Sequence, residues 1–273
     1  MENSQHKKKN DRGAIKPIEK PMLYAERAFA KPARRYALTV FGYQLLAIVL
    51  YFLLGSALSF GSVAVRVITN LLLYGAVAAL LFISGSSWGV QDAQFSEIMF
   101  RRNESGKPIP QTERDRCFGA KKAWVAMALG VLPFFIAACV LAIFTQRMGY
   151  QLQSLPRWMT TSARREEFSY ALSYYQSVNQ VQWLTIFRTV VRLDLFPLVQ
   201  MVGAENYDAL LVLERLSPLL CLVAPLAFPI GYKLGKRDRA LTHGSIARAE
   251  RRKKIKEKKE RRARQQKGPE QLI

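Results

Sequence analysis

The sequence predicts an all-α, polytopic membrane protein with four membrane-crossing helices, both termini on the inner side, and one amphipathic helix at the outer interface. Three observations predict it. Four apolar runs of about 20 residues carry almost no charge, and that is the length that crosses roughly 30 Å of hydrocarbon. The positive charge, a net +21 over 273 residues, gathers between and beyond those runs instead of within them. None of the runs shows the polar stripe that a soluble core helix needs every three or four residues.

The first segment, 1–35, holds ten Lys and Arg residues. Its polar, Pro-containing beginning is expected to be cytosolic and disordered. Tyr36–Leu58, "YALTVFGYQLLAIVLYFLLGSAL", has full spanning length and is expected to stay in place as a signal anchor. Val63–Ile83 forms the second span, with Arg66 near its start, and Ala123–Thr145 forms the third. The fourth, Leu210–Tyr232, contains Pro218, Pro225 and Pro229. A proline supplies no N–H and leaves a carbonyl one turn earlier without its helical partner. A kink is the plainer reading, although transporters use broken helices to bind substrates.

Val181–Gly203 is long enough for a fifth span but carries Arg188, Arg192 and Asp194. Each central charge costs about 2.5–3.5 kcal/mol on insertion scales. Gln182, Thr185, Arg188, Thr189 and Arg192 gather on one side at 100° per residue, and large apolar residues take the rest. That pattern suits a helix in the interface or packed across the mouth of the bundle, with Asp194 as the one break in it.

Charge sets the orientation. With four spans and the N-terminus inside, segments 1–35, 84–122 and 233–273 hold 33 of the 41 Lys and Arg residues, including every lysine. The remainder of the chain holds eight, all arginine. Basic residues mark the cytoplasmic side. A fifth span would place the basic C-terminal segment outside, so four spans are favoured. Trp88 and Trp124 flank the inner ends of the second and third spans, and Trp158 and Trp183 fall in the outer segment, as an aromatic belt would require.

The inner loop 84–122 carries turn chemistry at Gly106–Pro110. Its Gly-Lys pair lacks the GxxxxGK[ST] frame of a phosphate-binding loop. In the outer segment 146–209, Phe168, Leu172, Tyr175 and Val178 recur at helical spacing and predict one or two helices on the membrane face. The small-residue spacings Gly75–Ala79 and Ala126–Gly130 predict close helix packing.

Polar groups in hydrocarbon are functional candidates. Gln44 and Asn70 are the strong amides within spans, and interhelical hydrogen bonding is their ordinary role. Glu214 and Arg215 lie at the outer end of the fourth span, where Arg188 or Arg192 can meet Glu214 if the amphipathic helix caps the bundle. Cys117, Cys139 and Cys221 form no CxxC pattern and read as isolated thiols. No apolar run contains a histidine. The sequence therefore assigns no catalytic, metal-binding or cofactor-binding residue.

The last feature is "RRKKIKEKKERRAR", residues 251–264. Ile255 is its one large apolar residue, so it has no apolar face to insert into lipid. Arg251, Arg252, Lys253, Lys254, Lys256, Lys258 and Lys259 are expected to contact anionic inner-leaflet headgroups, each attracted by about 1 kcal/mol. Nucleic acid or a ribosome ranks behind lipid, because no aromatic residues interleave the charges for base stacking. Three functions are then in order. The first is a non-enzymatic, multi-pass protein of the cell membrane acting through protein or lipid contacts, including a second copy or a partner membrane protein. A transporter, or the membrane subunit of a transport complex, comes second, and a lipid-modifying enzyme third.

Overall fold

A computed structural model describes residues 17–58, 62–145, 182–203 and 206–266. Every regular element among them is a helix: α1 Lys31–Leu58, α2 Val63–Glu104, α3 Gln111–Arg114, α4 Ala120–Phe144, α5 Gln182–Asp194, α6 Phe196–Val202, α7 Tyr207–Val223 and α8 Ala227–Gln266. Among the described residues, four helical segments are long and apolar enough to cross a membrane: α1, α2, α4 and the stretch Asp208–Arg262 through α7 and α8. The chain divides into two compact units. One comprises Arg27–Gly85 and Gly119–Gly231; the other comprises Met1–Glu26, Ser86–Phe118 and Tyr232–Ile273.

The first unit is a helix bundle organised around α4, which packs against α1, α5 and α7. Val40, Ala126, Val131, Ala138 and Leu141 are fully buried there. Leu38, Phe52, Leu72, Ile143 and Leu219 lie exposed on its outside. In hydrocarbon, burying an apolar side chain against another gains little, so close packing and polar contacts must hold such a bundle together. Gly130 provides one close approach: a Cβ there would meet the Ala37 carbonyl oxygen and the Val40 Cβ, each at 2.8 Å. The Ala126–Gly130 spacing thus admits α1. Among the described residues the Gly75–Ala79 spacing does not seat a helix, since none lies within 4 Å of a Cβ at Gly75 and both residues are exposed.

The fourth apolar run is broken. Pro225 has no N–H for the Cys221 carbonyl, and the chain turns over residues 224–226 before α8 begins at Ala227.

The region expected to lie in the interface, or across the bundle mouth, packs against α4, α1 and α7 within the first unit. It forms a hairpin, breaking at Leu195 (φ −96°, ψ 20°) with Pro197 in the first turn of α6. Arg188 meets Glu214, and Asp194 and Leu195 share a cavity with Cys221. Those steps of six and seven residues both correspond to about 9–10 Å at 1.5 Å per residue, so α5 runs alongside α7. The chain then turns back, because Val199 and Val202 pack on Leu210 and Leu211. The buried stripe of α5 is Leu184, Arg188, Val191 and Leu195, while Thr185, Ile186 and Thr189 are exposed. The expected polar side is therefore split, with Arg188 turned inward. The cause is Glu214, a buried carboxylate that needs a counter-charge. The helices expected around Phe168, Leu172, Tyr175 and Val178, and Trp158 with them, lie outside the described residues.

In the second unit the described chain begins at Pro17, and residues 1–16 of the segment expected to be disordered lie outside the described residues. Ile18 N–H donates to the Ala240 carbonyl at 3.0 Å, Leu23 N–H to that of Ser96 at 3.3 Å and Ala25 N–H to that of Phe118 at 3.0 Å. These bonds fix the segment against α2, α8 and the Phe118 link between α3 and α4, which composition alone does not foresee. Half of the expected inner loop is helix, ending at Glu104. Gly106 (φ 73°) closes it, with Gly106 N–H on the Asn103 carbonyl and Lys107 N–H on that of Arg102, the Schellman pattern. Phe118 stacks on Tyr232 at 5.0 Å, and the Tyr232 hydroxyl donates to Asp92 at 2.5 Å. From Ala249 to Arg262 every residue of α8 is exposed.

Candidate functional site: a polar core within the bundle

Glu214 lies on α7, one turn into the apolar run, and is 1% exposed. A carboxylate there must be compensated or take up a proton. Three side chains compensate it. Arg188 Nε donates to Oε1 at 3.1 Å, Arg192 Nε donates to Oε1 at 3.0 Å, and the Thr145 hydroxyl donates to Oε2 at 2.6 Å. The two arginines can share one carboxylate because they are four apart on α5 and so lie on one face. Ser217 closes the floor, its hydroxyl donating to the Glu214 backbone carbonyl at 2.7 Å. This arrangement ties α4, α5 and α7 together.

One to two turns deeper along α5 and α7 is a cavity of about 20 Å³, lined by Gln44, Tyr51, Tyr74, Asp194, Leu195, Cys221 and Pro225 among others. A water molecule needs roughly 10–15 Å³, so the space holds one water and no larger solute. Asp194 reaches it from the tip of the α5–α6 hairpin, and the proline break of the fourth run faces it. Tyr74 is oriented by donating its hydroxyl to the Leu220 carbonyl at 3.2 Å. Gln44 Oε1 is buried without a hydrogen-bond partner among the described residues. Asp194 has no ion-pair or hydrogen-bond partner among the described residues, and burial pushes its carboxyl up to about 7. Burial there favours the neutral, protonated form of the carboxyl.

Of the six candidates from the sequence, the structure brings three together: Arg188, Arg192 and Glu214. Gln44 belongs to the neighbouring cavity. Asn70 is fully buried, but its Nδ2 donates to the Arg66 carbonyl of its own helix at 2.8 Å and its Oδ1 has no partner. Neither amide makes an interhelical hydrogen bond among the described residues. Arg215 is exposed and apart from the cluster. The lipid-contact set, Arg251 to Lys259, is exposed throughout, with Lys256 at 4.0 Å from Glu260 as its one ion pair among the described residues. Thr145, Ser217 and Tyr74 were not singled out by sequence. Asp194 left one signal, as the break in the amphipathic pattern.

Fold and site together define a class: a multi-pass, α-helical membrane protein with an ion-paired polar core. No protein-family model matches the chain, and no curated protein or solved structure is significantly similar to it.

Proposed function

We propose that the chain is a multi-pass protein of the cell membrane, with both termini in the cytosol, that works through contacts instead of catalysis. In this reading its basic helical arm engages anionic headgroups of the inner leaflet. The observation that carries it is the state of α8 beyond Arg248, helical and exposed on every side through Arg262. A helix over 249–266 is about 27 Å long. It has no apolar face, so its attraction is electrostatic and acts within a Debye length of about 8 Å. An enzyme acting on lipid would want carboxylates converging in an open cleft. Glu214 is instead a single carboxylate, buried and bonded on both oxygens, which supports the contact reading.

The test uses full-length protein in neutral nanodiscs and a chain ending at Ala247, which keeps the buried His243 in place. The full chain is expected to bind phosphatidylserine liposomes in a salt-sensitive way, and the shortened chain to lose that binding. Equal binding by both chains would overturn the proposal, as would a preference for RNA over the liposomes. A cytosol-only reporter at the C-terminus tests the orientation and should be active.

A second reading, a membrane subunit that moves protons, is favoured by one observation: the Asp194 cavity lies between two helix breaks. Proton flux in proteoliposomes that disappears in Asp194→Asn would move this reading ahead of the first.

A further inference from the structure

The second unit contains a larger cavity that neither reading uses. Its volume is about 220 Å³, and Lys20, Gln94, Glu97, Ile98, Arg101, Arg239 and His243 line it. Pockets for drug-sized ligands run from roughly 300 to 1,000 Å³, so this one suits a smaller group.

Its chemistry is polarised. Glu97 and His243 form a buried floor, with His243 Nε2 at 2.8 and 2.9 Å from the two carboxylate oxygens. Arg239 reaches the same carboxylate at 3.3 Å through one terminal nitrogen, while its Nε is buried without a partner among the described residues. Glu97 is thereby occupied and cannot neutralise the rest. Around the rim, Lys20 and Arg101 have no acidic partner among the described residues. Three cationic side chains thus face one carboxylate whose oxygens are already bonded. The rim is preorganised: Ile18 N–H on Ala240 holds the Lys20 segment beside Arg239, and Arg101 lies in the last turn of α2. Guanidinium groups present paired donors that match phosphate oxygens.

We propose that this pocket binds a phosphate-class oxyanion, with Arg101, Arg239 and Lys20 as its donors. The anion is either free phosphate or the phosphomonoester of a lipid headgroup. Either would supply the acceptors that the cationic rim lacks, with Gln94 available as a neutral donor.

Full-length protein in neutral nanodiscs is titrated with inorganic phosphate by calorimetry. In a second arm, nanodiscs doped with phosphatidic acid are examined for lipid retained by native mass spectrometry. Four chains are compared: wild type, Arg101→Gln/Arg239→Gln, Lys20→Gln/Arg101→Gln, and Lys258→Gln/Lys259→Gln as a control of equal charge on the arm. Wild type and the arm control should bind alike, and both rim doubles should bind at least tenfold more weakly. The Lys20/Arg101 double leaves the Arg239–Glu97 contact intact, so a folding defect from its loss cannot mimic the result. Binding in the phosphate arm identifies a free anion, and retention in the lipid arm alone identifies a headgroup. No binding in either arm at millimolar probe would overturn the proposal, as would equal weakening by the arm control.

Discussion

Arg188 and Glu214 meet twice inside the bundle, with Nε at 3.1 Å from Oε1 and 3.4 Å from Oε2. With Arg192 and Thr145 they satisfy a carboxylate that is almost completely sealed. Removing one partner of a buried ion pair costs about 3–5 kcal/mol, because the remaining charge keeps its desolvation penalty. Glu214→Ala should therefore lower the melting temperature of the detergent-solubilised protein by that order of stability. Exchanging Arg188, Arg192 and Glu214 together for leucine or methionine should recover most of the loss. If Glu214→Ala melted like wild type, the cluster would have no structural role.

Close glycine contacts hold α2 to α8. A Cβ on Gly235 would fall 2.6 Å from the Ser86 carbonyl oxygen and 2.7 Å from the Val90 nitrogen, while one on Gly231 would overlap the Phe82 carbonyl. Backbone atoms cannot yield as a flexible side chain can. Gly→Ala in a helix ordinarily stabilises by up to about 1 kcal/mol, and Gly75→Ala, which meets nothing among the described residues, should do so. Gly235→Ala should instead destabilise by about 1–3 kcal/mol through overpacking. Thermal unfolding of the two variants side by side checks the sign, and a gain at both positions would remove the contact argument.

How much of this was legible depends on the distance over which each feature is encoded. The spans follow from local composition, since about 20 consecutive uncharged residues suffice. The break at Pro225 is local too. The depth of Asp194 is not, because it depends on Gln44, Tyr74 and Cys221, which come from three other helices. His243 stands in a strongly charged stretch of sequence, yet it is buried against Glu97, 146 residues away. The buried arginines show the limit most clearly. A stripe of Thr and Arg on α5 predicts a polar side but not which way it turns, and that choice was made by Glu214 on another helix.

The buried floor of the second unit's pocket gives a pH test in the acid range. Burial works against the Glu97 charge, but hydrogen bonds from His243 and Arg239 outweigh it and hold the carboxyl below its ordinary value of 4.5. A depressed carboxyl contributes stability that is complete above the ordinary value and is lost as pH falls through the lower one. Glu97→Gln should flatten the acid limb of the stability profile below about pH 4.5. An acid limb identical in wild type and variant would show that another carboxylate governs it.

Asp194 has the opposite sign. Its carboxyl moves from 3.8 up to about 7 on burial, so between those values the folded chain holds a proton that the unfolded chain has released. Stability should fall as pH rises from 3.8 toward about 7, because folding must then either keep the proton or bury a charge. Asp194→Asn keeps the shape and removes the titration. Denaturation of wild type and variant across this range should give curves that diverge with rising pH, the variant becoming relatively more stable. The infrared carbonyl band of protonated Asp194, missing in the asparagine variant, should fade as pH rises through about 7. Curves that stay parallel from acid to neutral pH would mean that Asp194 meets water freely and that the cavity does not control its proton.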